Sequence, residues 1–117
     1  MKDYNGEIQY KDQTYKLVFN LNVMEAIQEE YGSLEEWGKL TDGSTESGEP
    51  NAKAVIFGFR EMINEGIDME NEEHGLDVKP LTLRQVGRLI TDVGLMQATS
   101  KLNETVIEST KSDEKNS

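Results

Sequence analysis

The residues best equipped for chemistry crowd into one stretch. Between Glu61 and Val78 stand seven carboxylates, no Lys or Arg, and the chain's single histidine, His74. Closely spaced carboxylates suggest calcium, and a histidine beside Glu72 and Glu73 suggests proton transfer. A calcium loop of the EF-hand type needs glycine at its sixth position and glutamate at its twelfth. Counted from Asp68 those positions hold Glu73 and Lys79, and counted from Asp42 they hold Ser47 and Lys53. Both registers fail. Weak divalent binding at Glu70, Glu72 and Glu73 is what remains of the metal reading, and a solvated acidic segment is the plainer account. Acid–base catalysis needs its groups held in a cleft that tunes their pKa. His74 instead stands in a polar, Gly-flanked segment with nothing apolar to desolvate it, and reads as an exposed histidine.

Other catalytic devices are missing from the pattern. The chain has no cysteine, which excludes thiolate nucleophiles, thiolate zinc sites and disulfides. No Gly-rich phosphate loop, nucleophile elbow or paired-carboxylate scaffold stands out. The expectation is a protein that is not an enzyme, with no catalytic residue, no cofactor and no metal. Arg84 and Arg88 lie one helical turn apart in the part of the chain that is not acidic. They could read an acidic partner, but pairing with the chain's own 61–78 segment is more economical, at about 1 kcal/mol or less per surface pair.

The chain of 117 residues and 13.2 kDa fits one domain with a core that needs no staples. Its 23 acidic and 12 basic residues leave a net charge of −11. Such a surface repels phosphate backbones, so no nucleic-acid partner is expected. No apolar run approaches the roughly 18 residues of a membrane span, and no signal-peptide core follows Met1–Tyr4. A soluble protein of the cytoplasm, with no membrane partner, is the expectation.

The elements that must carry these residues can be read from periodicity. Ile8 and Tyr10, then Tyr15, Leu17 and Phe19, alternate with polar neighbours around Lys11–Thr14, as in a β-hairpin over 7–19. A helix follows, with Asn22 as its expected cap and Glu25 three residues on; Val23, Ala26, Ile27 and Tyr31 share one face. Gly32 closes it, and Ser33 with Glu36 opens a short helix carrying Leu34, Trp37 and Leu40. Residues 42–51 form a Gly-, Ser- and Pro-containing flexible loop.

From Ala52 to Ile63 runs the most apolar helix, with a broad stripe of Ala52, Val55, Ile56, Phe59, Met62 and Ile63 and with Phe57 off it. A second flexible connection is expected over 68–79. Thr82 and Gln85 form a capping box for a helix carrying Leu83, Val86, Leu89, Ile90 and Val93. Gly87 inside it suggests a close helix–helix approach, and Gly94 a break before a last helix with Leu95, Ala98, Leu102 and Val106. Residues 109–117 have no apolar side chain and are expected to be disordered. The fold class is therefore α+β, mainly α: an N-terminal β-hairpin packed on a bundle of four to five short helices, one domain over 1–108.

The order of these features resembles a known family. Tyr15-Lys-Leu-Val-Phe19 leads into a helix ending Glu29-Glu-Tyr-Gly-Ser-Leu-Glu-Glu-Trp37; an apolar helix ends Met62-Ile-Asn-Glu-Gly-Ile67; an acidic stretch follows, and Lys79-Pro-Leu-Thr-Leu83 opens the last helical region. Over about residues 7–107 this is similar to the small tail assembly chaperones of phages and prophages of Gram-positive bacteria, and to relatives in gene-transfer-agent clusters. The resemblance implies binding to the tape measure protein, a long helical chain with apolar stripes, kept soluble until tail tube protein polymerises around it. It implies the bacterial host cytoplasm as the setting and carries over no catalytic residue. A homo-oligomer is left open.

Phe57, Phe59 and Met62 are the candidate contact residues for that partner, because Phe57 lies outside the main stripe and a helix apolar over more than one face can present the second to a partner. A different class of function is an acidic decoy or immunity-type protein that captures a basic partner through residues 61–78.

Overall fold

The computed structural model describes residues 6–43 and 48–115, the side chains of 111–115 excepted. Strands β1 (Gly6–Tyr10) and β2 (Gln13–Leu17) form an antiparallel hairpin; helices α1 (Leu21–Tyr31), α2 (Leu34–Thr41), α3 (Ala52–His74), α4 (Leu83–Val93) and α5 (Leu95–Lys115) follow. The α+β, mainly helical class is as the periodicity predicts. Two of the five helices are long rather than short, at 23 residues for α3 and 21 for α5.

The hairpin turn is tighter than expected, since Tyr10 already pairs with Gln13 and the reversal falls on Lys11-Asp12. Lys11 takes a φ of +57° to make it. That left-handed conformation suits glycine or asparagine better than lysine, which is why no turn signature shows in the sequence. Ile8 and Leu17 point into the core, and the lone hairpin gains its stability by lying on α3.

Local capping explains most helix boundaries. The first helix is capped by Asn20, whose side chain accepts from the Val23 amide at 3.2 Å, and not by Asn22. Asn22 lies inside α1 and donates instead to the Glu65 carboxylate at 3.0 Å. Gly32 (φ +93°) ends α1, and the Ser33 hydroxyl accepts from the Glu36 amide at 3.0 Å to start α2. Thr82 and Gln85 form the full reciprocal box at the start of α4, and Gly94 (φ +103°) separates α4 from α5.

Two segments expected to be flexible, 68–79 and 109–117, are helical in part. Residues 68–74 belong to α3, which continues through the acidic stretch to a left-handed cap at Gly75. Charge density does not break it, because three of the carboxylates have partners: Glu61 accepts from Arg60, Glu65 from Asn20 and Asn22, and Glu70 from Lys16. Residues 109–115 extend α5. Its inner face carries on past Leu102 with Thr105 and Ser109, both buried, and the Thr105 hydroxyl donates to the Lys101 carbonyl one turn back. Of the expected 42–51 loop, residues 44–47 lie outside the described residues, as do 116 and 117 of the expected tail.

Helix α3, roughly 35 Å long, is the axis of the fold and touches β2, α1, α2, α4 and α5. Trp37 of α2, Phe59 and Ile63 of α3, Leu89 of α4 and Leu102 of α5 meet in one core without exposed surface to speak of.

Candidate docking groove

Two glycines seat α2 and the hairpin on α3, and two amides place the start of α4, which with α3 walls the groove. Gly58 lets α2 approach α3: a Cβ there would stand 2.4 Å from Trp37 Cζ2. Gly66 does the same for the hairpin, with the Lys16 carbonyl oxygen 2.9 Å from the virtual Cβ. The expected close approach at Gly87 is not one, since a Cβ there would meet Ile56 Cδ1 at an ordinary 3.7 Å.

Asn64 and Asn71 sit two turns apart on one face of α3. The Asn64 side chain accepts from the Leu81 amide at 2.8 Å and donates to the Leu81 carbonyl at 3.0 Å. Asn71 holds Val78 in the same bidentate way, at 3.1 and 3.0 Å. Each amide imitates a strand partner for the extended 76–82 connection, which therefore runs back along α3 and delivers Thr82, the cap of α4, to a set place.

That placement opens a groove between α3 and α4. It encloses about 630 Å³ and is lined by Ile56, Phe57, Leu83 and Gly87, with Lys53, Arg60, Arg84 and Glu30 at its edges. On α3 the contributors are 53, 56, 57 and 60, the spacing of one helical face. Phe57 is half-buried and held from two sides. Its ring makes an edge contact with Tyr31 (centroids 5.4 Å apart, planes at 77°), and the Arg60 guanidinium lies 5.5 Å from its centroid. Arg60 in turn donates from Nε and Nη2 to Glu61, at 3.2 and 2.9 Å. Tyr31 keeps its hydroxyl buried without a hydrogen-bond partner among the described residues; desolvation, with the Glu30 charge secondary, pushes its pKa up.

Of the three contact residues expected from sequence, Phe57 lies in this groove. Phe59 and Met62 do not reach it: both are 0% exposed, in the core. The reason is angular, because at about 100° per residue positions 59 and 62 point more than 120° away from Phe57. Sequence reasoning missed the opposite wall, Leu83 and Gly87, and the three cations. The Lys53-Ile56-Phe57-Arg60 spacing could have signalled the α3 half.

The expected pairing of Arg84 and Arg88 with the acidic segment does not occur. Neither makes an ion pair among the described residues, and Lys53 makes none either. The segment's cationic contacts come from Lys16 and Arg60, and His74 Nε2 lies 3.3 Å from Glu70 in an exposed setting. Among the described residues no group of three or more His, Asp or Glu side chains converges as a metal site would require, and no helix is long and apolar enough to cross a membrane. A smaller space of about 270 Å³ beneath the 76–82 connection is walled by Asn64, Asn71, Glu61, Glu65 and Asp68 among others. Its polar walls are largely occupied in holding the fold, so the α3–α4 groove is the better candidate for a partner.

No protein-family model, no curated protein and no solved structure matches this chain.

Proposed function

We propose that this protein is a non-enzymatic phage tail assembly chaperone that holds the tape measure protein through the α3–α4 groove, in the cytoplasm of the bacterial host. The observation that carries this reading is the groove itself: an open apolar trough between two helices, with Phe57 braced in its floor and Leu83 47% exposed on its wall. The order of sequence features across residues 7–107 supports the choice of partner.

Such a trough suits a helix laid in by its apolar stripe. The net charge of −11 keeps the carrier and its cargo apart from other copies in solution. Contact through a groove already open at the surface lets the cargo leave when tail tube protein assembles, without unfolding the carrier.

Capture of a basic protein by the acidic segment is the weaker reading. It rests on Asp68, Glu72, Glu73 and Asp77, which are exposed, whereas Glu61, Glu65 and Glu70 are engaged within the fold.

Co-expression with a candidate tape measure protein, a long helical chain, tests the proposal. Soluble recovery of that chain should rise with the wild type and not with Leu83→Glu. Position 83 opens α4, where a carboxylate favours the helix, so the variant keeps its fold. Equal rescue by both proteins removes the groove from the account, and rescue lost in a high-salt wash for both favours the acidic segment.

A further inference from the structure

We propose that the α3–α4 groove selects a helical partner segment whose apolar stripe is bordered by carboxylates. The inference rests on the docking reading above and names the chemistry of the segment that docks.

The occupant is helical because of what the walls lack. Both walls are helices whose backbone amides and carbonyls, beyond the first turn of each, are already bonded within α3 and α4. An extended peptide lying there would bury amides with no ladder to join, whereas a helix arrives with its own satisfied. The α4 wall is notched at Gly87, whose missing side chain leaves Ile56 Cδ1 as the nearest atom, 3.7 Å from where a Cβ would stand. One bulky apolar side chain of the partner fits over that notch, beside Phe57.

The acidic border follows from the rim. In a chain with nearly twice as many acids as bases, three cations gather around one trough. Lys53 and Arg60 are seven residues apart on the same edge of α3, and Arg84 stands on the facing wall. Lys53 and Arg84 have no anionic partner among the described residues. Arg60 spends Nε and Nη2 on Glu61 and keeps Nη1. Glu30 is the one carboxylate in the lining, so the edge by α1 is where the partner does not need an acid. A helix with leucines facing Phe57 and Gly87 and glutamates on both flanks meets opposite charge on each side, while one flanked by lysines meets like charge.

Two synthetic helical peptides test this, with the same leucine stripe and with either glutamate or lysine at the flanking positions. Each is labelled and titrated with the full chain, and binding is read as fluorescence anisotropy. At roughly 50 mM salt the glutamate peptide should bind about tenfold or more tightly than the lysine peptide, and at roughly 0.5 M the gap should close. Arg84→Glu should abolish or reverse the preference, and Leu83→Glu should weaken both peptides. Equal affinities, or a preference for lysine, overturn the inference while leaving the docking reading in place. A glutamate preference unchanged by Arg84→Glu places the site elsewhere and overturns it too. If neither peptide binds but co-expression still rescues the long helical chain, the groove chemistry is wrong and the chaperone role stands. Sedimentation showing self-association that Leu83→Glu dissolves would assign the groove to a second copy of this chain, and would also overturn it.

Discussion

The indole of Trp37 is seated where Gly58 leaves α3 without a side chain, and its Nε1–H donates to the Ala54 carbonyl at 3.0 Å. One missing methyl thus lets α2 close on α3, and one hydrogen bond fixes the angle at which it does so. With Trp37 buried, the polar indole N–H has to find a partner, and the helix carbonyl supplies it.

Gly58→Ala should therefore destabilise the protein by about 1–3 kcal/mol, because the 2.4 Å approach to a rigid ring cannot be relieved by a rotamer change. Gly87→Ala should do the opposite, gaining up to about 1 kcal/mol from helix propensity at a position with room for the methyl. Urea unfolding followed by the fluorescence of the single tryptophan measures both. Equal behaviour of the two variants would refute this account of α2–α3 packing.

The paired amides of Asn64 and Asn71 make unequal contributions. Asn64 is partly buried and ties down Leu81, next to the cap of α4; its replacement by Ala should cost about 1–3 kcal/mol and accelerate hydrogen exchange at the Leu81 amide. Asn71→Ala acts on an exposed pair and should cost about 1 kcal/mol or less, with faster exchange confined to the Val78 end.

Stability should fall off at both ends of the pH scale through the exposed Lys16–Glu70 pair. The hydrogen bond from Lys16 holds the Glu70 carboxyl below its ordinary value of 4.5, so this contribution is complete above 4.5 and is lost as pH falls through the lowered value. The same bond raises Lys16 above 10.5, so on the alkaline side the contribution is complete below 10.5 and is lost as pH climbs through the raised value. Glu70→Gln should flatten both limbs in a plot of Tm against pH. Unchanged limbs would assign them to other groups.

Tyr31→Phe removes a buried hydroxyl that has no hydrogen-bond partner among the described residues and keeps the ring on Phe57. Stability should stay level or rise by up to about 1 kcal/mol. Ultraviolet titration of the wild type should show one phenol ionising above the ordinary value of 10.0, and that component should vanish in the variant.

Much of the fold is written locally. Ser33, Thr82, Gly32 and Gly94 mark helix ends through short-range hydrogen bonds and backbone freedom, and those ends stand where the sequence puts them. The cap expected at Asn22 falls two residues earlier, on Asn20, whose amide is also held by Glu65, a residue distant in sequence. The continuation of α3 past Ile67 was hidden for the same reason. Its apolar pattern ends there, and Lys16, far away in sequence, reaches Glu70 on the last turns. The final turns of α5 hide behind hydroxyls, since Thr105 reads as surface until its bond to Lys101 is seen. In the groove, Phe57 was legible as a residue off the main stripe. Leu83, Gly87 and Arg84 were not, because nothing in a linear pattern says that the start of α4 faces the first half of α3.

The central claim is that the partner docks between α3 and α4. Its most direct test is chemical-shift mapping of the isotopically labelled chain on addition of a stripe-bearing segment from the long helical partner. The largest shifts should fall at Ile56, Phe57, Leu83 and Gly87, with smaller ones at Lys53 and Arg84. Shifts confined to 68–78, or to the outer face of α5 around Ile107, would contradict it.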